Sequence, residues 1–459
     1  MAKQKQQPIK VRAMNALEQI NRDAAGIDIG AEEVYVAVPP DRDEQSVQRF
    51  VTFTADFYQL ADWLKACRIT TVAMEATGVY WIALFEILEE RGFEVYLVNA
   101  RHLKNVSGRK TDVLDCQWIQ QLHTYGLLRP SFRPPEEIVA IRSLVRHREM
   151  LVQYRSSHVQ HMQKALTVMN LRLTNVLSDI TGETGLQILR AIVAGERNPQ
   201  RLAQFRDRRC AKSEAEIAKS LEGHYKAEQI FMLKQALELF DFYDRQVQAC
   251  DQQLQALYDQ FDPPDDPGTP PPPPRTTKRR NTQAHFDLNA ALYRMTGVDL
   301  TRIDGVDGVT IQKVLSEIGT DMSRWPTEKH FASWLRLCPN NQITGGKVKH
   351  TGVEPTQNRA SAALRLAASS LKHSDSALGA YYRRIRARKG GPAAVTATAH
   401  KLARIIYAML KNRTSYHDDG AESYEQQYRV RVLRNLNRQA ARFGFRLEPS
   451  SQTPHLVVS

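Results

Sequence analysis

Four carboxylates occupy positions in which acidic side chains can do chemistry. Asp28 lies in a Gly-x-Asp-x-Gly stretch at the end of a predicted buried strand, and Glu75 ends a second such strand. Asp112 and Asp115 are three residues apart, so both project from one face near the start of a predicted helix. Acids at the ends of central strands are costly unless a cation compensates their charge. Because Mg²⁺ prefers hard oxygen ligands, the four residues predict a pair of Mg²⁺ ions that promote phosphodiester displacement.

Two of these acids also have simpler explanations. Many hairpins carry an aspartate such as Asp28 for turn chemistry, and Asp112 could serve only to cap its helix. Either residue alone is therefore a weak indication of catalysis. The coincidence of four acids, with the basic pair Arg109-Lys110 just before Asp112, is what favours a catalytic cluster.

Residues 23–130 form the predicted domain that must position these acids. Three segments rich in β-branched and aromatic residues come first, and strands and helices then alternate. Three antiparallel strands followed by strand, helix, strand and helix predict a mixed α/β sheet of the ribonuclease H type. The predicted strands cover residues 25–30, 34–38, 49–53, 70–74 and 94–98, and the predicted helices cover 57–64, 80–91 and 112–122.

Residues 131–262 form a predicted helical domain. Apolar residues recur at three- and four-residue steps from 134 to about 176 and again from 233 to 261, with shorter helices between. Two long amphipathic helices that enclose an insert predict an antiparallel coiled coil. The alternative is that each apolar stripe packs on the core of a domain.

Residues 263–285 are a predicted linker, because they hold five consecutive prolines and then the basic run Lys278-Arg279-Arg280. Such a composition favours an extended chain. At the two ends, residues 1–22 are a predicted flexible arm and residues 414–459 a polar tail.

Residues 286–413 are a second predicted domain, mainly α-helical. Gly305 and Gly308 flank a turn before a helix, as in a helix-hairpin-helix whose backbone N–H groups contact phosphate. A Gly-x-x-Gly pattern is common, so this signal is weak alone. A predicted polar loop, Thr344-Gly345-Gly346-Lys347, follows, and helices are predicted at 358–371 and 398–410.

The charge distribution points to a polyanionic partner. The formal net charge is +13, with a pI of about 9.5. From residue 355 to 417 there are twelve Lys or Arg and a single acid, Asp375, whereas a solvated face normally mixes both signs. No run of eighteen apolar residues or secretory signal is present, and the five cysteines are scattered without a Cys-x-x-Cys. We therefore expect a cytoplasmic protein without a membrane span, a disulfide framework or a zinc site.

Several motifs together resemble one known family. Gly26-Ile27-Asp28-Ile29-Gly30, Met74-Glu75-Ala76-Thr77-Gly78 and Lys110-Thr111-Asp112-x-x-Asp115 resemble the DEDD motifs of a bacterial insertion-sequence transposase family, the recombinases guided by a bridge RNA. Leu337-Cys338-Pro339, Thr344-Gly345-Gly346-Lys347 and Asn358-Arg359-Ala360 resemble the same family's C-terminal transposase domain. The likeness covers residues 20–413.

The resemblance implies a RuvC-like domain, a coiled coil and a transposase domain that carries a serine nucleophile. It also implies a homotetramer on donor and target DNA duplexes, a structured guide RNA from the element, and association with the bacterial nucleoid. The residues expected to contact nucleic acid are Gly305, Gly308, Arg336, Gly345, Gly346, Lys347, Lys349, Arg359 and Arg365.

One residue departs from the family pattern. The residue before Gly-Gly-Lys is a serine in the family and Thr344 here. A threonine hydroxyl can attack phosphorus, but its methyl group restricts χ1 and crowds the line of approach. We therefore expect Thr344 to be the nucleophile, with Ser333 and Ser361 as weaker alternatives outside the Gly-Gly loop.

Two other functions fit parts of the sequence. ATP-binding proteins of the sugar-kinase and actin type also have a Gly-x-Asp-x-Gly hairpin, but they need a duplicated sheet domain and a Gly-rich adenosine loop. A Mg²⁺-dependent nuclease of the Holliday-junction type would use the same four acids without a covalent intermediate. Nucleotide binding tests the first alternative and a trapped protein–DNA adduct tests the second.

The acid-poor segment leads to a prediction about salt. We expect nucleic-acid binding to weaken by roughly 0.7–0.9 log unit per log unit of salt for each phosphate contact, because each contact releases a counterion. Fluorescence anisotropy with labelled DNA across a salt series measures the slope. An affinity that does not change with salt would contradict binding through phosphates.

Overall fold

A five-stranded mixed sheet is the centre of the first part of the chain. The computed structural model describes residues 18–99, 112–262, 283–350, 352–355 and 358–448. The chain divides into two compact units, Met1–Arg133 and Pro134–Ser459, and each is described by itself. In the first unit the strands are β1 (Ala24–Ile29), β2 (Glu33–Ala37), β3 (Val47–Val51), β4 (Thr71–Glu75) and β5 (Glu94–Val98).

The strand order is β3-β2-β1-β4-β5. Strand β1 pairs antiparallel with β2 and parallel with β4, and β4 pairs parallel with β5. The predicted ribonuclease-H-type sheet is therefore confirmed. The helices of this unit are α1 (Thr54–Ala66), α2 (Trp81–Glu90) and α3 (Asp112–Thr124).

Each face of this sheet packs against different helices. Ile27 and Met74 point to one face, where they are fully buried with Leu60 of α1 and Leu84 of α2. Ala73 and Val98 point to the other face and pack with Ile119 of α3 and Leu128. Successive side chains of a strand point to opposite faces. Ala73 therefore points to the α3 face, whereas its neighbour Met74 points to the larger core.

Gly26 lets α3 lie directly on β1. A Cβ atom at this position would come within 2.2 Å of the Gln120 amide nitrogen and 2.4 Å of the Cys116 carbonyl oxygen. The helix backbone therefore occupies the space that any other side chain would need. Gly26 is therefore required for packing, and it lies two residues before Asp28 in the same motif.

The second unit contains two long helices that pack side by side. Helix α4 (Glu136–Val168) runs antiparallel to α9 (Ala227–Tyr258), and buried Arg148 donates to Asp251 at 2.5 Å. Farther along, Arg155 pairs with Asp244. The predicted long helices are present, whereas a supercoiled coiled coil stays a prediction. The helices between them are α5 (Leu173–Val176), α6 (Glu183–Val193), α7 (Pro199–Ala203) and α8 (Glu214–Ser220).

The remaining part of the second unit is mainly helical, as expected. A β-hairpin, β6 (Gln342–Thr344) and β7 (Lys347–His350), replaces the predicted polar loop. The helices are α10 (Leu288–Thr296), α11 (Gly308–Ile318), α12 (Glu328–Trp334), α13 (Arg359–Ser370), α14 (Ala377–Lys389), α15 (Gly391–Asn412) and α16 (Gly420–Arg442), with short 3-10 helices at Leu300–Arg302 and Leu371–His373.

The helical domain predicted at 131–262 and the domain predicted at 286–413 lie within one compact unit. Arg146 of α4 pairs with Glu317 of α11 at 2.8 Å, and Lys313 pairs with Glu149 at 2.7 Å. The predicted linker lies outside the described residues except for 283–285. There His285 Nδ1 lies 2.8 Å from the buried Asp251 carboxylate.

The segment predicted as a polar tail contains a long helix. Helix α16 continues to Arg442 and packs against α14, although none of its residues is buried. Aromatic rings of α16 contact an arginine of α14, an interaction that apolar periodicity does not show. In the described part of the chain, no helix is both long and apolar enough to cross a bilayer.

The tight contact at Gly26 can be tested by substitution. We expect Gly26→Ala to lower the free energy of unfolding by about 1–3 kcal/mol or more, because the new methyl group must displace helix backbone. Urea unfolding of the full chain measures the change. Gly391→Ala is the control, since a Cβ there meets no atom within 4 Å. Equal stability of the two variants would contradict the packing role of Gly26.

Candidate active site

The pairing of β1 with β4 brings the first two acids side by side. Ile27 is in register with Met74 in this parallel pair, so Asp28 and Glu75 occupy the next positions of adjacent strands. Asp28 follows the buried Ile27 and points to the same face as Gly26. Glu75 points to the same face as Ala73. Both acids therefore lie on the face of the sheet that α3 covers.

Helix α3 supplies the other two acids. Asp112 and Asp115 lie in its first turn, and the helix contacts β1 closely through Cys116 and Gln120. Asp112 is exposed, whereas Asp115 is half-buried. The four predicted residues come from two strands and one helix of the first unit.

Their mutual repulsion is seen at Asp28. Burial, together with the negative charges of Glu75, Asp112 and Asp115, raises the pKa of Asp28 to about 6. The thiol of Cys116 lies against the same group, and burial and the charge of Asp28 raise its pKa to about 12. Among the described residues, no Lys, Arg or His forms an ion pair with any of the four acids. Within the described residues, the negative charge of the cluster therefore has no cationic partner.

The donor chemistry of this cluster fits a hard divalent cation. Carboxylate oxygens are the ligands that Mg²⁺ takes up, and a cation would remove the repulsion that raises the pKa of Asp28. In the ranges that the structure describes, no three acidic, histidine or cysteine side chains are close enough together to hold one ion. The metal-ligand role of the four acids therefore stays a prediction.

Thr344 lies on an exposed hairpin. It is the last residue of β6 and pairs with Lys347, the first residue of β7. The turn residues Gly345 and Gly346 have φ angles of 56° and 74°, the left-handed values that a two-residue type I′ turn needs. Gly-Gly between the β-branched Ile343 and Val348 is the signal that could have predicted this hairpin.

The structure separates the two alternative serines. Ser361 is fully buried in α13, and its hydroxyl has no hydrogen-bond partner among the described residues. It cannot meet a DNA phosphate without unfolding the helix. Ser333 is exposed on α12 and remains accessible. Thr344 is exposed, with glycines beside it and exposed Lys347 and Lys349 on the next strand, and its role as nucleophile stays a prediction.

Three arginines predicted to contact nucleic acid have partners within the second unit. Arg336 pairs with Glu354, and Arg359 lies 3.1 Å from Glu149. Arg365 donates to the Thr396 hydroxyl at 3.3 Å. Phosphate contacts by these residues would have to compete with or add to the existing bonds.

The two glycines of the predicted helix-hairpin-helix have packing roles. Gly305 has a φ of 77°, and a Cβ there would lie 2.7 Å from Leu371 Cγ. Gly308 begins α11, whose N-terminal amide of Thr310 is capped by Asp307 at 2.9 Å. The element directly before the Gly305 loop is a single 3-10 turn and not a full α-helix. Asp299 caps the start of this turn, and Ile303 follows its end. Phosphate binding here stays a prediction.

His123 is a structural residue of this domain that sequence reasoning missed. It is buried at the end of α3, where Nε2 lies 2.8 Å from the Thr71 hydroxyl of β4. Its ring packs on Tyr96 of β5 with centroids 4.6 Å apart. Burial lowers the pKa of His123 to about 4, so it is neutral at pH 7 and joins α3 to two strands. A histidine in an amphipathic helix carries no sequence signal for this contact.

The fold and the acids define a class of protein. A ribonuclease-H-like sheet with acids at the ends of adjacent strands and on the covering helix is the scaffold of enzymes that cut nucleic acid. Two family models match the chain: a DEDD transposase model of the IS110 type over residues 25–170, and the model described as the transposase IS116/IS110/IS902 family over residues 299–383. The chain belongs to the IS110 family of DEDD transposases, which are recombinases of insertion elements. The comparison with curated proteins gives no match.

The raised pKa of Asp28 predicts how pH changes stability. A carboxyl whose pKa is higher in the folded chain stabilises folding below its ordinary pKa of about 4 and loses that contribution as pH rises through about 6. At pH 7, Asp28→Asn should therefore stabilise the metal-free chain by about 1–3 kcal/mol, since one pKa unit corresponds to roughly 1.4 kcal/mol. Thermal unfolding at pH 4 and pH 7 measures the difference.

Glu32→Gln is the matched control, because Glu32 is an exposed acid in the adjacent turn. We expect it to change the unfolding temperature by less than one degree or so at either pH, as surface substitutions commonly do. A loss of stability in Asp28→Asn at pH 7 would show that the negative charge of Asp28 is compensated.

Proposed function

We propose that this transposase cuts and rejoins DNA by Mg²⁺-dependent transesterification, with Thr344 as the nucleophile. Asp28, Glu75, Asp112 and Asp115 would hold the metal, and a guide RNA encoded by the element would select donor and target DNA. The observation that carries the proposal is that adjacent strands and the first turn of α3 gather four acids on one face of the sheet, with no cationic partner among the described residues. Repulsion among partly buried acids lowers stability unless the site binds a cation.

The four acids have one shared task in this proposal. Asp28 and Glu75 are fixed by adjacent strands, so they can hold a cation with little rearrangement of backbone. Asp112 and Asp115 approach on the first turn of α3, which is the more exposed side of the cluster. A bound Mg²⁺ would supply Lewis acidity and stabilise charge on the phosphate oxygens. The sheet and helix supply the positioning.

Thr344 suits the role of nucleophile because of where its hydroxyl is placed. It is exposed, and two glycines follow it, so the sugar-phosphate backbone can approach without meeting a side chain. Lys347 and Lys349 bring positive charge to the same hairpin. Attack of Oγ1 on phosphorus would form a phosphothreonyl ester and break one P–O bond of the DNA backbone, while a base takes the threonine proton and the released DNA oxygen leaves as a hydroxyl after it takes up a proton. The phosphodiester energy is conserved in the phosphothreonyl bond for rejoining.

The partners follow from charge and from family membership. The net charge of +13 and the acid-poor segment from 355 to 417 supply cations for duplex DNA and for a structured RNA. A reaction on donor and target requires several cleavage events, for which we propose a tetramer built as a dimer of dimers. Sedimentation of the chain with and without RNA would measure this assembly.

The identity of the nucleophile can be tested by adduct formation. We expect Thr344→Ala to bind DNA and RNA normally but to form no covalent protein–DNA adduct. Thr344→Ser should match or exceed the parent, because removal of the methyl group frees the line of approach. The measurement is peptide mapping of the trapped adduct. Ser333→Ala is the matched control, since Ser333 is an exposed hydroxyl in the same unit, and it should keep full activity.

Other outcomes identify other mechanisms. An adduct on Ser333 would assign the nucleophile to α12. DNA cut to free ends without any adduct, and with Mg²⁺ still required, would favour a nuclease of the Holliday-junction type. Full cleavage by Asp115→Ala or in excess chelator would contradict the metal site itself.

A further inference from the structure

A basic cavity lies between the last three helices of the second unit. It has a volume of about 440 Å³, within the range of sites for small ligands. Helices α14, α15 and α16 and the segment before α16 form its walls. None of its residues belongs to the predicted catalytic set. The side chains that matter are Tyr381, Arg384, Lys401, Tyr424 and Arg431.

The cations of this cavity are held by aromatic rings. The Arg384 guanidinium lies 3.9 Å from the ring centroid of Tyr428 and 4.9 Å from that of Tyr424. The Lys401 ammonium lies 4.9 Å from the centroid of Tyr381 and 5.3 Å from that of Tyr424. A ring face attracts a cation without cancelling its charge, as a carboxylate would. The tyrosines therefore position the two cations and leave the cavity positive.

Two acids line the cavity, Asp418 and Asp419, and the charge of Asp418 offsets only part of the repulsion at Lys401, whose pKa is lowered overall. Within the described residues, Arg384, Lys401 and Arg431 form no ion pair, and Arg384 Nη1 is buried without a hydrogen-bond partner. Asp418, which faces the cavity, already accepts bonds from the Ala377 amide at 3.0 Å and the Tyr416 hydroxyl at 3.3 Å. The other arginine of the wall, Arg404, pairs with Glu328 on α12.

Gathering these cations in one place has an electrostatic cost. Burial and the charges of Arg384 and Arg431 lower the pKa of Lys401. A buried guanidinium N–H without an acceptor costs further free energy. Both costs fall if an anion enters the cavity and accepts hydrogen bonds from Arg384 and Lys401.

We propose that this cavity binds a phosphate group of a single-stranded nucleotide, at a strand end or on a nucleotide turned out of a helix. Arginine and lysine together are suited to phosphate, since the first offers a fork of N–H donors and the second a point charge. The exposed Gln427 at the wall offers hydrogen bonds to a base. Arg384 and Lys401 are half-buried, so phosphates on the outside of a duplex would reach these two cations less readily than a free strand does.

The test uses the full chain with Asp28→Asn, so that cleavage cannot occur and the result does not depend on the proposed chemistry. The probes are a short single-stranded oligonucleotide with a 5′-phosphate, the same strand without it, and inorganic pyrophosphate, each in DNA and RNA forms where that applies. Isothermal titration calorimetry measures affinity. We expect Lys401→Met to weaken binding of the phosphorylated strand at least tenfold, because the ammonium is removed while the alkyl stem still fills its place.

Lys411→Met is the matched control. Lys411 lies on the same helix, 5.3 Å from the ring centroid of Tyr407, but it does not line the cavity. It should change affinity by less than about twofold. Site-specific evidence comes from chemical acetylation followed by mass spectrometry, in which the phosphorylated strand should protect Lys401 and not Lys411.

Three outcomes would overturn the proposal. They are unchanged affinity in Lys401→Met, equal protection of both lysines, and binding of pyrophosphate as tight as that of the phosphorylated strand. The last result would identify a site for a small anion and not for a nucleotide. A preference for the RNA or the DNA strand would identify which of the two nucleic acids supplies the phosphate.

Discussion

The contact between the backbone of α3 and strand β1 at Gly26 is the constraint on which the catalytic domain depends. A Cβ at this position would overlap the helix at 2.2 Å, so the helix can lie on the strand only because the residue is glycine. The same approach brings the first turn of α3 towards Asp28, and it places Cys116 against that acid. Packing and electrostatics are thus opposed. The apolar contacts of Ile119 draw the helix onto the sheet while four negative charges repel each other at its start.

In the second unit, buried charges are compensated by ion pairs between helices. Arg148 and Asp251 join α4 to α9 in the interior, and the same carboxylate receives His285 at the end of the linker. Removing either member of such a pair leaves an uncompensated charge, so these bonds specify the alignment of the helices more than they add stability. Ion pairs from α4 to α11 then attach the C-terminal helices to this framework. The result is one compact unit where composition suggests two domains.

Charge has two different roles in this transposase. In the first unit negative charge is concentrated without a described partner, which favours a cation. In the second unit positive charge is concentrated, and part of it is held by tyrosine rings between α14 and α16. Rings fix an arginine in place and preserve its charge, whereas the pairs of Arg336 and Arg359 with glutamates do not. Unlike Arg336 and Arg359, the two ring-held cations of the cavity therefore keep their charge available to a phosphate.

The amino-acid sequence by itself determined the sheet, the long helices and the four acids. Strand and helix periodicity are local properties, and the motifs around Asp28 and Glu75 are contiguous, so no distant contact is needed to recognise them. The hairpin at Thr344 was also within reach of local reasoning, because Gly-Gly between β-branched residues predicts a tight turn.

Only the tertiary structure decided that Ser361 is buried, that Gly26 is a contact with α3, and that His123 joins the helix to the sheet. It alone also showed that tyrosines of α16, within the predicted tail, contact Arg384 of α14. Each of these depends on residues far apart in the chain, and side-chain chemistry between such residues leaves no periodic trace in either segment.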